Sequence, residues 1–472
     1  MGINNPDVDG ASCAASSMST SHDAFTQLPS RGQTSWRPLD FVRRRHARFR
    51  EEWCLMEASG MFGDFGTLLP LLLAMANVGS VAPAAALFWF GAFNVATAYE
   101  WDVPMCVQPM KTIAAAAIAD GLSAGAVSAA GLFVGACVLA LGLTGLVEVV
   151  NRFVPRSVVS GIQLGLGVRM VGLALVMIFD APWWAAAVGA ALALVAFGVA
   201  RRRDAAVPVA LGLVAAGLAV AAAAAAADGG AGAAARAAWR RWRPGRLALA
   251  PRVPSRRDWV AGVVRAGLPQ LPLTTLNSVI SVTALAGRLF PDAPPDRMPT
   301  RRGVAASVGL MNVVGCWFGA APACHGAGGL AGQYRFGARG GASVWVLGWG
   351  KMLLALLLGD KLMLDAVRAF PAPVLGALLA VAGVELAAAG AAADGAAAPC
   401  LVAAAATVAL RNTGLGAACG LAVAAAEKLA ERLERRRAGD DEQEAPPAAD
   451  AETKEEPASG DEEAGRAKPE GK

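Results

Sequence analysis

The chain has 472 residues, of which 55% are hydrophobic and only 17% charged, and its mean hydropathy is +0.46. That composition excludes an ordinary soluble domain and describes an integral multi-pass membrane protein whose first partner is the lipid bilayer. The formal net charge of +5 sits in loop and tail arginines, a topology signal that gives no support to nucleic-acid binding.

Residues 1–53 read as a cytoplasmic N-terminus. A Ser-, Asp- and Gly-rich tail without an apolar h-region, so no secretory signal, precedes a basic amphipathic run with Arg43, Arg44, Arg45, Arg48 and Arg50. Positive residues beside a first span place that end in the cytoplasm. The first span, about 54–77, carries Glu57 and Asp64 seven positions apart, on one helix face. A lone carboxylate near mid-span is costly and reads as functional, or else as an acceptor closing a Gly-rich helix contact. A second span runs to about Tyr99. The segment Pro104–Ile113 then leads into a helix in which Pro109 suits the first position and Gly121 the C-terminal cap. From Pro109 to Ala119 this helix is too short to span, so extended backbone must supply the remainder, which protein or a water-filled cavity has to satisfy. Lys111, in its first turn, opposes the helix dipole unless a bound anion or Asp64 answers it; a lysine snorkelling to the interface is the plain alternative.

Spans at about 124–147, 154–179, 182–200 and 207–227 complete a first repeat, 54–227. Residues 228–257 form a linker in which Arg236, Arg240, Arg241 and Arg243 lie among Trp239 and Trp242, an interfacial pattern. Seven spans before it would put this linker outside, against the positive-inside rule. A second repeat, 258–428, opens with Gln270, Thr274, Asn277 and Ser281 stepping by four, three and four along one helix face. Such a polar stripe faces a cavity or another helix. The run Ala321-Pro322-Ala323-Cys324-His325-Gly326-Ala327-Gly328-Gly329 then enters a second short helix. Its glycines free backbone N–H groups to face a bound group, and a helix start opened this way is an anion site. The alternative is a tightly packed glycine helix around a core histidine. Further spans fall near 341–358, 372–390, 398–411 and 414–428, and residues 429–472 form a charged, disordered tail.

The two halves echo each other. Broken helices near 104–120 and 321–334 each follow a polar first span, and Pro155 and Gly167-Val168-Arg169 match Pro371 and Gly383-Val384-Glu385 at a constant offset. Paired interrupted helices point to a secondary transporter with a central site. The expected fold is therefore an all-α polytopic membrane protein of two inverted seven-span repeats, with two broken helices at the midplane and both termini cytoplasmic. Eight cysteines without a CxxC pair predict neither zinc nor disulfides, and no cofactor is expected. With no nucleophile–base or metal constellation, a membrane enzyme or scaffold is the weaker reading.

The segments Gly60–Thr67, Val107–Lys111, Leu276–Ser281 and Cys324–Gly337 resemble, in order, the signature segments of plant- and algal-type molybdate transporters, relatives of the sulfate permeases. The resemblance spans about 55–390. It implies core and gate domains, molybdate bound between the N-termini of the third and tenth helices, and no cytoplasmic anti-sigma-factor-like domain. Sulfate or another small anion is the alternative substrate, because sulfate shares molybdate's charge and shape. The donors expected on this basis are backbone N–H groups of Gly326, Ala327 and Gly328, those near Met110, and the side chains of Gln108, Thr274 and Asn277. Lys111 would supply a compensating charge and His325 a further donor, while Asp64 would couple a proton or pair with Lys111. A homodimer is compatible with the sequence, as is residence in the plasma membrane or an endomembrane such as the vacuole.

Overall fold

The structure is a computed structural model that describes residues 38–201, 207–227, 251–394 and 397–443. The expectations for the N-terminal tail before residue 38, for most of the 228–257 linker and for the chain beyond 443 lie outside the described residues. The chain divides into two compact units, Met1–Ala424 and Ala425–Lys472. Among the described residues, every element but the last helix lies wholly within the first.

An amphipathic helix, α1 (Pro38–Glu52), precedes α2 (Leu55–Asn77) and α3 (Pro83–Glu100). A two-residue strand β1 (Gln108–Pro109) leads into the half-helix α4 (Lys111–Asp120). Then come α5 (Ala124–Thr144), the short α6 (Leu146–Phe153), α7 (Arg156–Phe179), α8 (Trp183–Arg201) and α9 (Val209–Ala227). The second half starts with a continuous helix α10 over 256–289, followed by α11 (Arg301–Gly315), strand β2 (Ala323–Cys324) and the half-helix α12 (Ala327–Arg335). It closes with α13 (Gly341–Ala369), α14 (Ala372–Asp394), α15 (Ala398–Ala409) and α16 (Thr413–Gln443). Five of these, α2, α5, α7, α13 and α14, are long and apolar enough to cross a bilayer, and α8, α9 and α15 contain shorter apolar helices.

Local chemistry sets several boundaries. Ser123 and Thr300 accept from Ala126 N–H and Gly303 N–H and start α5 and α11, and Ser255 with Asp258 forms a capping box at the start of α10. Gly359, at φ 63°, breaks α13 where the apolar run ends. In α10, Pro269 and Pro272 each remove a backbone donor, and the helix absorbs this with π-turns at Val263–Gly267 and Thr274–Ser281. The wider winding changes the expected one-face stripe. All eight residues from Thr274 to Ser281 are buried, so the polar groups there face protein on every side.

Pro109 also departs from expectation. It lies in β1, paired with Ala323, and the helix starts two residues later with Met110 as its extended N-cap. The strand forms because the counterpart segment lies alongside, 214 positions away (323 less 109), which no local pattern records.

The two halves superimpose by number. Met110 and Gly326 cap the half-helices, and Gly121 and Gly337, both at positive φ, follow them; each pair is 216 residues apart (326 less 110, 337 less 121). Arg156 and Ala372, which begin α7 and α14, keep the same offset. So does the strand register, which is antiparallel and pairs Gln108 with Cys324. Since Gln108 pairs with its own repeat counterpart, the pseudo-two-fold axis passes through this pair, between the half-helices. Packing follows the same symmetry: α3 lies on α13 as α11 lies on α5, while α7 lies on its own counterpart α14.

Candidate functional site

The antiparallel β1–β2 pair holds the start of α4 and the start of α12 at one place, both buried from Trp101 to Met110 and from Ala320 to Gln333. Helix starts carry N–H groups without helical partners and a partial positive charge. At α4 most of these are already taken. Met110 N–H donates to the Pro322 carbonyl (2.8 Å), and Thr112 and Ile113 N–H donate to Gln270 Oε1 (2.8 and 3.3 Å). The expected donors near Met110 therefore reduce to Lys111 N–H among the described residues. Gln270 is fixed in turn, since its Nε2 donates to Thr274 Oγ1 (2.8 Å). Thr274 thus stands behind a cap, and its hydroxyl oxygen is engaged. At α12, Gly326 is the N-cap and Ala327 and Gly328 form the open first turn.

Asp64 lies on a 3₁₀ turn, Met61–Asp64, that interrupts α2, and it is fully buried. Its Oδ1 accepts from Thr67 Oγ1 (2.9 Å) and from Gln108 Nε2. The turn reaches α12 because Gly63 and Gly332 meet backbone to backbone; a Cβ on Gly63 would lie 2.4 Å from Gly332 C. Glu57, expected on the same face, does something else. It accepts the N–H groups of Gly340 and Ser343 (2.9 and 3.2 Å) and so caps α13.

Three buried polar atoms at this point have no hydrogen-bonding partner in the protein, Asp64 Oδ2, Gln108 Oε1 and Lys111 Nζ, and Asn277 Oδ1 is another on the α10 π-turn that packs against α12. Buried polar groups are nearly always paired, so three at one locus mark a place built for something else. Asp64 and Arg169 lie within electrostatic range of Lys111, and no Asp64–Lys111 ion pair is formed. Of the predicted residues, the structure brings together Asp64, Gln108, Lys111, Gly326, Ala327 and Gly328; a Cβ on Gly326 would lie 2.5 Å from Gln108 Oε1, while Asn277 sits on that π-turn of α10.

His325 is not among them. It packs edge-on to Trp101, its Nδ1 lies 2.9 Å from the Cys106 carbonyl and its Nε2 lies 3.0 Å from Ser307 Oγ. A carbonyl only accepts, so Nδ1 carries a proton, and Nε2 is taken by the hydroxyl. With both ring nitrogens engaged, the imidazole has no N–H to offer a bound anion, and its part is to fix β2 against the 101–106 segment.

A family model described as "Molybdate transporter of MFS superfamily" matches residues 56–170 and 262–386. Molybdate transporter 1 of Arabidopsis thaliana is 36% identical over 376 residues, covering 71% of this chain and 79% of the relative. Molybdate transporter 1 of Chlamydomonas reinhardtii is 36% identical over 460 residues, covering 72% and 85%. The chain belongs to the molybdate transporter family. It is therefore a transport protein of the membrane and not an enzyme. Among solved structures it is similar to murine Solute Carrier 26 family member A9, an anion transporter in the inward-facing state, with a TM-score of 0.52 at 14% identity over 91% of this chain and 77% of that one. That likeness shows the fold, two inverted repeats, whereas major-facilitator halves repeat in parallel.

In this family member three residues at the site escaped sequence reasoning. Lys351, 3% exposed in mid-α13, donates to Asn94 Oδ1 (2.8 Å) and, like Lys111, lies within electrostatic range of Asp64. Asn312 clamps β2 with both ends of its amide, donating to the Ala323 carbonyl (2.7 Å) and accepting Ala323 N–H (2.8 Å). Lys351 had a readable signal, a single cation inside an apolar span. Asn94 and Asn312 had none, for lone asparagines inside spans carry no pattern.

Proposed function

We propose that this protein is a carrier of molybdate that binds its tetrahedral dianion between the starts of α4 and α12. The reading rests on the locus itself: two facing helix starts ringed by buried polar atoms without protein partners. Ala327 and Gly328 N–H, Lys111 N–H and Nζ and the Asn277 amide are the donors, Asn277 presenting its NH₂ once its orientation reverses, while Gln108 stays on Asp64 and holds β1 in place. Lys111 and Lys351 offset much of the dianion's charge, and Asp64 takes up a coupling proton, which offsets the rest. Transport proceeds by alternating access, with the repeats 54–227 and 258–428 each contributing one half of the site. Residues 1–53 and 429–472 precede and follow these repeats in the sequence, and a cytoplasmic N-terminus is the reading that the arginines of α1 support.

The test is uptake of labelled molybdate into proteoliposomes, with and without an inward proton gradient and excess sulfate. Saturable uptake that survives sulfate and falls to background in Lys111→Ala is expected. Equal inhibition by sulfate would replace this reading with a general oxyanion permease. For coupling, Asp64→Asn keeps an acceptor oxygen for Gln108 and Thr67 but cannot cycle a proton, so it is expected to abolish stimulation by the gradient while downhill exchange persists. Stimulation retained in that variant would remove Asp64 from the coupling role.

A further inference from the structure

The inverted repeats are not in the same arrangement. Half-helix α12 packs along α14, whereas among the described residues its counterpart α4 makes no comparable packing on α7. One ion pair seals the packed side: Arg335, the last residue of α12, places Nε 3.4 Å from Glu385 Oε2 on α14. The counterpart of Glu385 is Arg169 (385 less 216), with the charge reversed. The residue that ends α4 is Asp120, also reversed in charge relative to Arg335. Asp120 is exposed and Arg169 half-buried, and among the described residues neither forms an ion pair. Two cations, Arg411 and Lys111, lie within electrostatic range of Arg169. Without an ion pair, its half-buried guanidinium lacks the carboxylate that would balance it.

We infer that Arg335–Glu385 and Asp120–Arg169 are alternating tethers, four positioning residues that form one pair at a time as the transporter exchanges its two facing states. Inverted repeats exchange conformations when access alternates, so a contact made by one repeat here is made by the other in the opposite state. The reversal of both charges keeps each pair attractive. It also disfavours pairing α12 with α7 or α4 with α14 through these residues, because Arg335 repels Arg169 and Asp120 repels Glu385. The one-residue shift of Asp120 relative to Arg335 (335 less 120 is 215) falls within the reach of an arginine side chain.

The inference rests on alternating access, so the test separates the two. First, counterflow of labelled molybdate against unlabelled internal molybdate is measured on the parent protein; its absence would overturn alternating access and the tethers together. Next, Asp120→Cys with Arg169→Cys is oxidised with copper phenanthroline, which takes two electrons from the two thiols and releases two protons as the disulfide forms. Peptide mapping, with the single variants as controls, identifies the bond. The Asp120–Arg169 disulfide is expected during turnover, with uptake lost and then recovered on reduction, and Arg335→Cys with Glu385→Cys is expected to cross-link as well. Counterflow in the parent with no Asp120–Arg169 disulfide would overturn the tethers alone. Charge provides a second readout. Arg335→Glu is expected to slow uptake by about fivefold or more, and adding Glu385→Arg to restore most of it. No restoration would reduce the pair to ordinary packing.

Discussion

Gly329 shows how little room the site leaves. A Cβ there would lie 2.0 Å from Gln108 Nε2, 2.4 Å from Cys106 Sγ and 2.9 Å from Asp64 Oδ1. Neither Gln108 Nε2 nor Asp64 Oδ1 can retreat without breaking the Gln108–Asp64 hydrogen bond that fixes the β1 side of the site, and Cys106 Sγ cannot without losing its contact with the Gly326 carbonyl. Gly329→Ala is therefore expected to lower molybdate uptake by about a hundredfold, the cost of misplacing binding groups, while the protein still elutes as a single species in detergent. Gly350→Ala, where a Cβ would meet nothing within 4 Å, is the control and should transport normally. Normal uptake by Gly329→Ala would mean that the Gln108–Asp64 contact is dispensable. At this scale the sequence was legible wherever a polar residue stood in apolar surroundings, as with Asp64, Gln108 and Lys111. It was illegible wherever a distant partner decided the role. His325 looked like a donor until the Cys106 carbonyl, 219 positions away, fixed its tautomer. Gln270 looked like one member of a stripe until α4 came to rest on it.

Between elements, the most concentrated charge lies at the end of α3. Asp102, 4% exposed, meets Arg45, Arg48 (2.8 Å) and Arg297 (3.4 Å). Arg45 also donates to the Ala98 and Trp101 carbonyls, and Arg297 to that of Tyr99 (2.7 Å). These cations satisfy the last carbonyls of α3 and complement its dipole. They also bind α1 and the 295–297 turn to the same helix end. The cost of this burial is visible outside the spans: burial pushes the Glu52 carboxyl up, against the pull of Arg48, and holds the Arg45 guanidinium below its usual range. Asp102→Ala would leave three guanidiniums without their common anion. A loss of about 3–5 kcal/mol is expected, read as a fall in the detergent melting temperature. Arg48→Ala, with a half-exposed side chain, should cost about 1 kcal/mol or less. Equal melting of Asp102→Ala and the parent would show the cluster to be solvent-screened. Helix existence and most ends were legible here from Gly, Pro and hydroxyl signals. The β1–β2 pairing and the π-turns were not, because the first depends on a segment 214 positions away and the second on how prolines are accommodated in a packed helix.

At the scale of the whole molecule, the offset of 216 residues turns one observation into two. The repeat was legible as isolated coincidences of Pro, Gly and charge; the structure adds the caps, the positive-φ glycines and the strand register, which needed backbone geometry to be seen. The same offset relates Met170 to Leu386 (386 less 170), and both close on one glycine. A Cβ on Gly328, in the first turn of α12, would lie 2.6 Å from Met170 Sδ and 3.7 Å from Leu386 Cδ2. Two apolar side chains from α7 and α14 thus cover the helix start proposed to hold the anion, and they do so from the pair of helices that lies on the pseudo-two-fold axis. On the proposed mechanism this cover keeps water and small anions from crossing between turnovers, since an uncovered helix start offers any anion a favourable resting point. Met170→Ala with Leu386→Ala removes about six heavy atoms from that cover, more than neighbouring side chains can refill. The double variant is expected to leak sulfate from loaded proteoliposomes about tenfold faster than the parent, and Met170→Leu, which nearly conserves volume, to leak no faster. If the double variant stays tight to sulfate, the barrier lies elsewhere along the α7–α14 contact, and Met170 and Leu386 merely fill space beside Gly328.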